Sequence, residues 1–180
     1  RIGDRWTLLI LRDLHAGPAR FSELQRGLTG IAANLLTDRL AKLVEDALVQ
    51  KQDAAHGVSL YALTVQGQKT REILLGLAMF GGQYAPEGEV VKPGNARSLA
   101  GTLAALCERV MSPDLALVAQ FIIDGEPMFL TAAKGNAAME IGRHASPSVT
   151  LTTSYEAMIE VSEGEISLEE FITNKAALIE

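Results

Sequence analysis

Gly81-Gly82, Pro86, Gly88, Pro93 and Gly94 crowd into one short stretch near the middle of the chain. Glycine loses too much backbone freedom in a regular element, and proline lacks the N–H and clashes with the preceding turn. No helix or strand is expected to cross this stretch. The 180 residues should therefore fold as two domains, 1–84 and 96–180, joined by a linker over 85–95. Hydrophobic residues make up 48% of the chain and charged residues 21%, which is enough apolar material for a core. Aromatics supply only 5%, so that core must be mainly aliphatic.

The two halves also differ in charge. Up to Tyr84 there are ten basic and eight acidic residues, a balance of +2, so with a total of -6 the remainder carries -8. A nucleic-acid surface, if present, belongs to the first half, and placement rather than surplus of charge must make it.

In that half, Trp6, Leu9, Ile10 and Leu14 recur at spacings of three and four, which predicts a helix from Gly3 or Asp4 to about His15. Gly17-Pro18 stops it. Ser22 and Gln25 read as a capping box for a short second helix that ends near Gly27–Gly30. A third helix is expected from Ala32 to Asp46. Leu36, Leu40 and Leu43 would face a core, leaving Asn34, Thr37, Asp38 and Lys42 as a polar strip. Two alternating runs, Leu48–Gln52 and Ser59–Leu63, flank a turn over 53–57 and predict a hairpin. Thr64 then caps a helix over 65–80 with a stripe of Ile73, Leu74, Leu77 and Phe80. Three helices followed by a hairpin are the order of a winged helix-turn-helix.

The second half reads as α+β, with an antiparallel sheet packed by helices. A helix over 96–111 precedes strands at 116–124, 127–133, 137–141 and 149–153, with turns at Asp124-Gly125 and Lys134-Gly135-Asn136. Ser154 caps a helix containing Met158 and Ile159. Ser167 with Glu170 caps a last helix expected to contain Phe171, Ile172 and Leu178.

Four ordered blocks carry a family likeness: Ile2–Leu11, Gly17–Leu24, Leu36–Leu40 and Tyr61–Gly67. Together they resemble the HxlR family of winged helix-turn-helix regulators over roughly the first 80 residues. The resemblance implies a homodimeric, non-catalytic, cytoplasmic DNA-binding protein whose last helix helps build the dimer interface, here through Leu74, Leu77 and Phe80. Several such regulators sense oxidants through a cysteine placed just before the block that begins here at Ile2. Opening at Arg1, without Met, the chain is expected to have further residues upstream. The remaining 95 or so residues are similar, more loosely, to a sterol-carrier-type lipid-binding domain. That likeness rests on the Asp124-Gly125 hairpin, the Pro147–Thr152 strand, the Ser154–Met158 helix and the Gly164–Ser167 step. Such a domain ends in another strand, and this chain stops about where it would begin.

Helices enter the major groove and reach base edges with their first turns. Ala33, Asn34 and Thr37 sit there on the third helix. Asn pairs with adenine, and Ala and Thr meet a thymine methyl. Arg39 and Lys42 are candidates for phosphate or base, Arg20 and Lys51 for phosphate. The same side chains equally describe the solvated face of an ordinary helical domain. Phe121, Ile123, Met128, Leu130, Met139, Ile141, Leu151, Met158 and Phe171 are candidates to line an apolar pocket, and equally an ordinary core.

His15, His56, His144 and Cys107 are scattered without metal-ligand spacing, so no metal and no cofactor are expected. His15 should interact with its helix-end carbonyls, and Cys107, among Leu and Ala, should be a buried structural residue. No nucleophile elbow or phosphate loop is present, and the Glu pairs at 156 and 160 and at 169 and 170 read as helix surface, so no enzyme is expected. No apolar run reaches the roughly 18–20 residues of a membrane span, and no signal pattern opens the chain. A single cysteine suits a reducing cytoplasm. Two functions stand on this reading. One is a homodimeric DNA-binding regulator modulated by an apolar molecule or lipid bound in the second half. The other is a lipid-binding or protein-interaction module with constitutive or vestigial DNA binding.

Overall fold

The computed structural model describes residues 2–54, 58–81, 83–84, 96–162 and 165–179. The expected linker 85–95, the hairpin tip with His56 and Gly57, Gly82 and Gly164 lie outside the described residues. The chain divides into two compact units, Arg1–Thr102 and Leu103–Glu180.

The first unit begins with α1 (Arg5–Leu14), capped by the Asp4 carboxylate, which accepts the Trp6 and Thr7 amides at 3.1 and 3.2 Å. Gly17, at φ 95°, ends the turn that follows α1 in a conformation that favours glycine. Helix α2 (Phe21–Gly27) starts two residues earlier than its Ser22 pattern suggests. The working cap is Glu23, whose Oε2 accepts the Arg20 N–H at 2.8 Å, so Ser22 and Gln25 lie inside the helix. Helix α3 (Ala33–Glu45) buries Leu36, Leu40 and Leu43, as its periodicity requires. These join Ile10, Leu11, Leu14, Leu24, Leu28 and Val49 in one aliphatic cluster.

Strands β1 (Val49–Ala54) and β2 (Val58–Leu63) pair antiparallel, Val49 with Leu63 and Lys51 with Tyr61. Tyr61 also bridges Ala19 through two backbone hydrogen bonds of 2.9 and 2.8 Å, tying the α1–α2 turn to the hairpin. The single helix expected over 65–80 is two, α4 (Val65–Gln68) and α5 (Thr70–Gly81). Their joint is fixed from both sides. Thr64 Oγ1 accepts the Gly67 N–H at 3.0 Å and donates to the Ala47 carbonyl at 2.6 Å. A β-carbon on Gly67 would sit 2.0 Å from the Leu48 carbonyl oxygen.

Helix α6 (Ala96–Val110) contains the division between the units, so the second compact unit starts inside it rather than at its first residue. Arg97 lies on the first unit's side of that division. Its guanidinium donates to the carbonyls of Gly17 and Pro18 at 2.8 and 2.9 Å, and Glu23 lies 3.6 Å away. These bonds hold the start of α6 to the α1–α2 turn.

In the second unit, β3 (Leu117–Ile123), β4 (Glu126–Ala133) and β5 (Asn136–Ile141) form the expected meander. Asp124-Gly125 and Lys134-Gly135 take positive φ at both positions, the conformation that matches strand twist in two-residue hairpins. The sheet is not wholly antiparallel. Strand β6 (Val149–Thr153) lies beside β3 and runs parallel to it, with Ala119 opposite Val149. A short last strand, β7 (Ala177–Ile179), closes the order β5-β4-β3-β6-β7. Leu178 therefore sits in a strand, not in the last helix. Between β6 and β7 come α7 (Tyr155–Ser162) and α8 (Leu168–Glu170), which runs into a π-helical turn over Phe171–Lys175. The Ser167–Glu170 box forms as expected, with bonds of 2.9 and 3.1 Å.

The parallel pairing follows from the crossing made by residues 142–148. They need to span only three inter-strand steps, roughly 15 Å, to move from beyond β5 to beyond β3. Gln120, 3% exposed, fastens that crossing. Its Oε1 accepts the His144 N–H at 2.8 Å, and its Nε2 donates to the carbonyls of Met128 and Gly142 at 2.8 and 3.2 Å.

Candidate nucleic-acid interface

Helix α3 turns three leucines inward and leaves an arc of Ala33, Asn34, Thr37, Asp38, Ala41 and Lys42 exposed. At 3.6 residues per turn, Asn34 and Ala41 lie near the middle of that arc, Ala33 and Thr37 on one flank, Asp38 and Lys42 on the other. The Thr37 hydroxyl donates to the Ala33 carbonyl at 2.9 Å. Lys42 pairs loosely with the exposed Glu45 at 3.4 Å and approaches the largely buried Asp46 carboxylate at 4.0 Å, with more than half of its own side chain exposed. Arg20, exposed, precedes α2, and Lys51, exposed, stands on β1 opposite Tyr61.

Arg39 is placed differently from the other candidates. It falls off the exposed arc, and its Nε donates to Asp4 at 3.1 Å. Burial alone would raise the Asp4 pKa. The bonds from Thr7 and Arg39 outweigh burial and hold the carboxyl below its ordinary value. One carboxylate thus caps α1 and anchors α3, a junction that the sequence does not announce because Asp4 and Arg39 are 35 residues apart.

The expected dimer residues separate. Leu74 packs against the core, whereas Ile73, Leu77 and Phe80 are half or more exposed, and Met79 and Tyr84 continue the apolar surface. His15 does not turn its ring to the helix end. Its Nε2 meets Thr70 Oγ1 at 3.0 Å, and Thr70 in turn donates to the Gly67 carbonyl. Burial first, and then Arg71, lower the His15 pKa to about 4. Cys107 is half-buried rather than enclosed, and burial and then Glu108 push its thiol up, away from thiolate reactivity. Among the described residues no cluster of His, Cys, Asp or Glu forms a metal site, and no helix is long and apolar enough to cross a membrane.

In the second unit the register puts Phe121, Met128, Ile141 and Leu151 in one cross-strand row. Leu130 and Met139 stand in the next row, with Ile123 on the same face. Met128 and Met139 are fully enclosed, Phe171 is buried, and Met158 is half-buried. The strand residues singled out from the sequence therefore share one sheet face. Gln120, on the opposite face, was missed, because a lone Gln in an apolar strand carries no pattern.

Three helices, the third with an exposed polar arc, and a two-stranded hairpin define the first unit as a winged helix-turn-helix. The chain belongs to the HxlR-like helix-turn-helix family, whose model matches residues 1–89. An HTH-type transcriptional regulator of Mycobacterium tuberculosis is 37% identical over 90 residues, covering 49% of this chain and 56% of that protein. The chain thus spans little more than half the length of that relative. The HTH-type transcriptional regulator YkvN of Bacillus subtilis is 33% identical over 100 residues, covering 51% of this chain and 85% of its own length. Among solved structures, the reduced form of the regulator YodB from B. subtilis aligns at 27% identity and a TM-score of 0.43, covering 48% of this chain and 87% of that one. The two sequence relatives carry the names of transcriptional regulators.

Proposed function

We propose that this protein is a cytoplasmic transcriptional regulator that binds duplex DNA as a homodimer. The observation that carries the reading is the exposed arc of α3, with Arg20 and Lys51 exposed on the neighbouring elements to take phosphates. Each protomer offers few cations, so two protomers on two half-sites are needed for tight binding, with a shallow salt dependence per protomer. The apolar surface of Ile73, Leu77 and Phe80 supports a second copy as its cover. The single-faced apolar set of the second unit supports an apolar small molecule or lipid as the modulator, which must bind one state of the dimer better than the other.

A mobility-shift titration with DNA from the protein's own upstream region tests the reading. The triple variant Arg20→Ala, Lys42→Ala, Lys51→Ala should lose at least about tenfold in affinity at physiological salt. Unchanged affinity would remove this surface from DNA binding. Addition of a host lipid extract should alter the shift, and indifference at saturation would leave the second unit without a sensing role.

A further inference from the structure

Resting on the reading that α3 is the helix that enters the groove, the structure also indicates which base pairs it takes. We propose that the α3 half-site is built on A·T pairs, with thymine methyls against Ala33 and Thr37 and an adenine edge against Asn34, and that guanine is rejected.

The argument is a census of donors. In the major groove guanine shows only acceptors, N7 and O6, so a protein must bring donors to read it, most often an arginine fork. Adenine shows an acceptor beside a donor, and thymine an acceptor beside a methyl. The one arginine of α3, Arg39, is off the exposed arc and bonded to Asp4. Lys42 lies at the far end of the arc, among Glu45 and Asp46. Thr37 has committed its hydroxyl proton to the Ala33 carbonyl and presents a methyl and an acceptor, but no donor. Ala33 presents only a methyl. Asp38, on the flank of the arc beside Lys42, adds a carboxylate that repels guanine's N7 and O6 and accepts from an exocyclic amine, adenine N6 or cytosine N4. Asn34 is left as the donor of the first two turns, and its amide offers one donor beside one acceptor, the complement of adenine N7 and N6.

The test uses the full chain and a randomised duplex library wide enough for two half-sites. Selected half-sites should carry A·T pairs under α3. Replacing single thymines by deoxyuridine, which removes only the C5 methyl, should weaken binding about fourfold at the contacted positions, the worth of one buried methylene. Asn34→Ala should weaken binding about tenfold and leave the adenine position without base preference. The salt slope should stay that of the parent, since no phosphate contact is lost. G·C-centred half-sites indifferent to deoxyuridine would overturn this inference and leave the DNA-binding reading standing. An A·T-rich site indifferent to both deoxyuridine and Asn34→Ala would be read through duplex shape, and overturns it equally. No enriched duplex at all would bring down the proposed function and this inference with it.

Discussion

The bends of the first unit are capped locally and its elements are then tied by distant bonds such as Ala19–Tyr61 and Asp4–Arg39, whereas the parallel pairing of the second unit depends on a crossing. In the first, helices α1 to α3 and the hairpin follow one another and share one aliphatic cluster, and most of its bends are fixed by residues within four positions, as at Asp4, Glu23 and Thr64. In the second, β3 pairs with a strand 30 residues further on, and the crossing that leads to that strand is held by the buried Gln120 amide together with backbone bonds from the Gly142 N–H to Pro127 and from the Ser148 N–H to Val118. An unpaired polar group costs most in a low-dielectric interior, so losing the buried Gln120 amide should matter more than losing an exposed cap. Non-local pairing also raises the entropic cost of reaching the folded state, so the second unit should fold the more slowly.

The sharpest way to break the comparison is Gly67→Ala. Its added β-carbon would meet backbone, the Leu48 carbonyl at 2.0 Å, not the movable end of a side chain. The α4–α5 joint must shift bodily, and the first unit should lose at least about 4 kcal/mol. Hydrogen exchange on the full chain should show lost protection through α3 and β2, while β3 and β4 keep theirs. Equal loss in both units would show that they unfold as one.

The converse change is Gln120→Leu, which keeps the side-chain volume and removes the amide. The His144 N–H and the Gly142 carbonyl lose their partner, at a cost of about 3 kcal/mol. Protection should now fall in β3 and β6 and remain in α1 and α3.

Acid should strike the first unit selectively. The folded pKa of His15, about 4, lies below its ordinary value of 6.5. As pH falls below about 6.5 the unfolded chain takes the proton first, so stability is lost from there down to about 4, where the loss is complete. Between pH 7 and 5 this amounts to about 2 kcal/mol. His15→Gln should flatten that slope in a denaturant titration followed in α1. A slope unchanged in the variant would assign it to other groups.

How much of this was legible beforehand follows the same division. Leu36, Leu40 and Leu43 declared the buried side of α3 by spacing alone, and Asp124-Gly125 declared its hairpin by the backbone that those residues tolerate. The exposed arc with Asn34 and Thr37 followed from the leucines. What stayed hidden was what depends on distant partners: that Asp4 would remove Arg39 from the arc, that Arg97 would belong with the first unit, and that β6 would run parallel to β3. The α4–α5 break was hidden for another reason. Val65 to Phe80 satisfies a helical period throughout, and only the Leu48 carbonyl beside Gly67 shows why the axis must change there.

The smallest effect concerns the junction where the two kinds of contact meet. Asp4 makes local bonds to Trp6 and Thr7 and one distant bond to Arg39. Asp4→Ala removes the cap of α1 and should cost about 1 kcal/mol, since the partners are half-exposed and water replaces part of what is lost. Asp4→Asn keeps an acceptor for the amides but surrenders the charge that holds Arg39, so it should recover much of the stability. The two variants then part in DNA binding. Both release Arg39, which gives α3 a cation it lacked, so affinity for non-specific duplex should rise with a steeper salt slope, while discrimination among sites falls. Anisotropy titrations at several salt concentrations read both quantities. If Asp4→Asn leaves slope and discrimination at their parent values, Arg39 is kept from DNA by its position on the helix, and Asp4 serves only to cap α1.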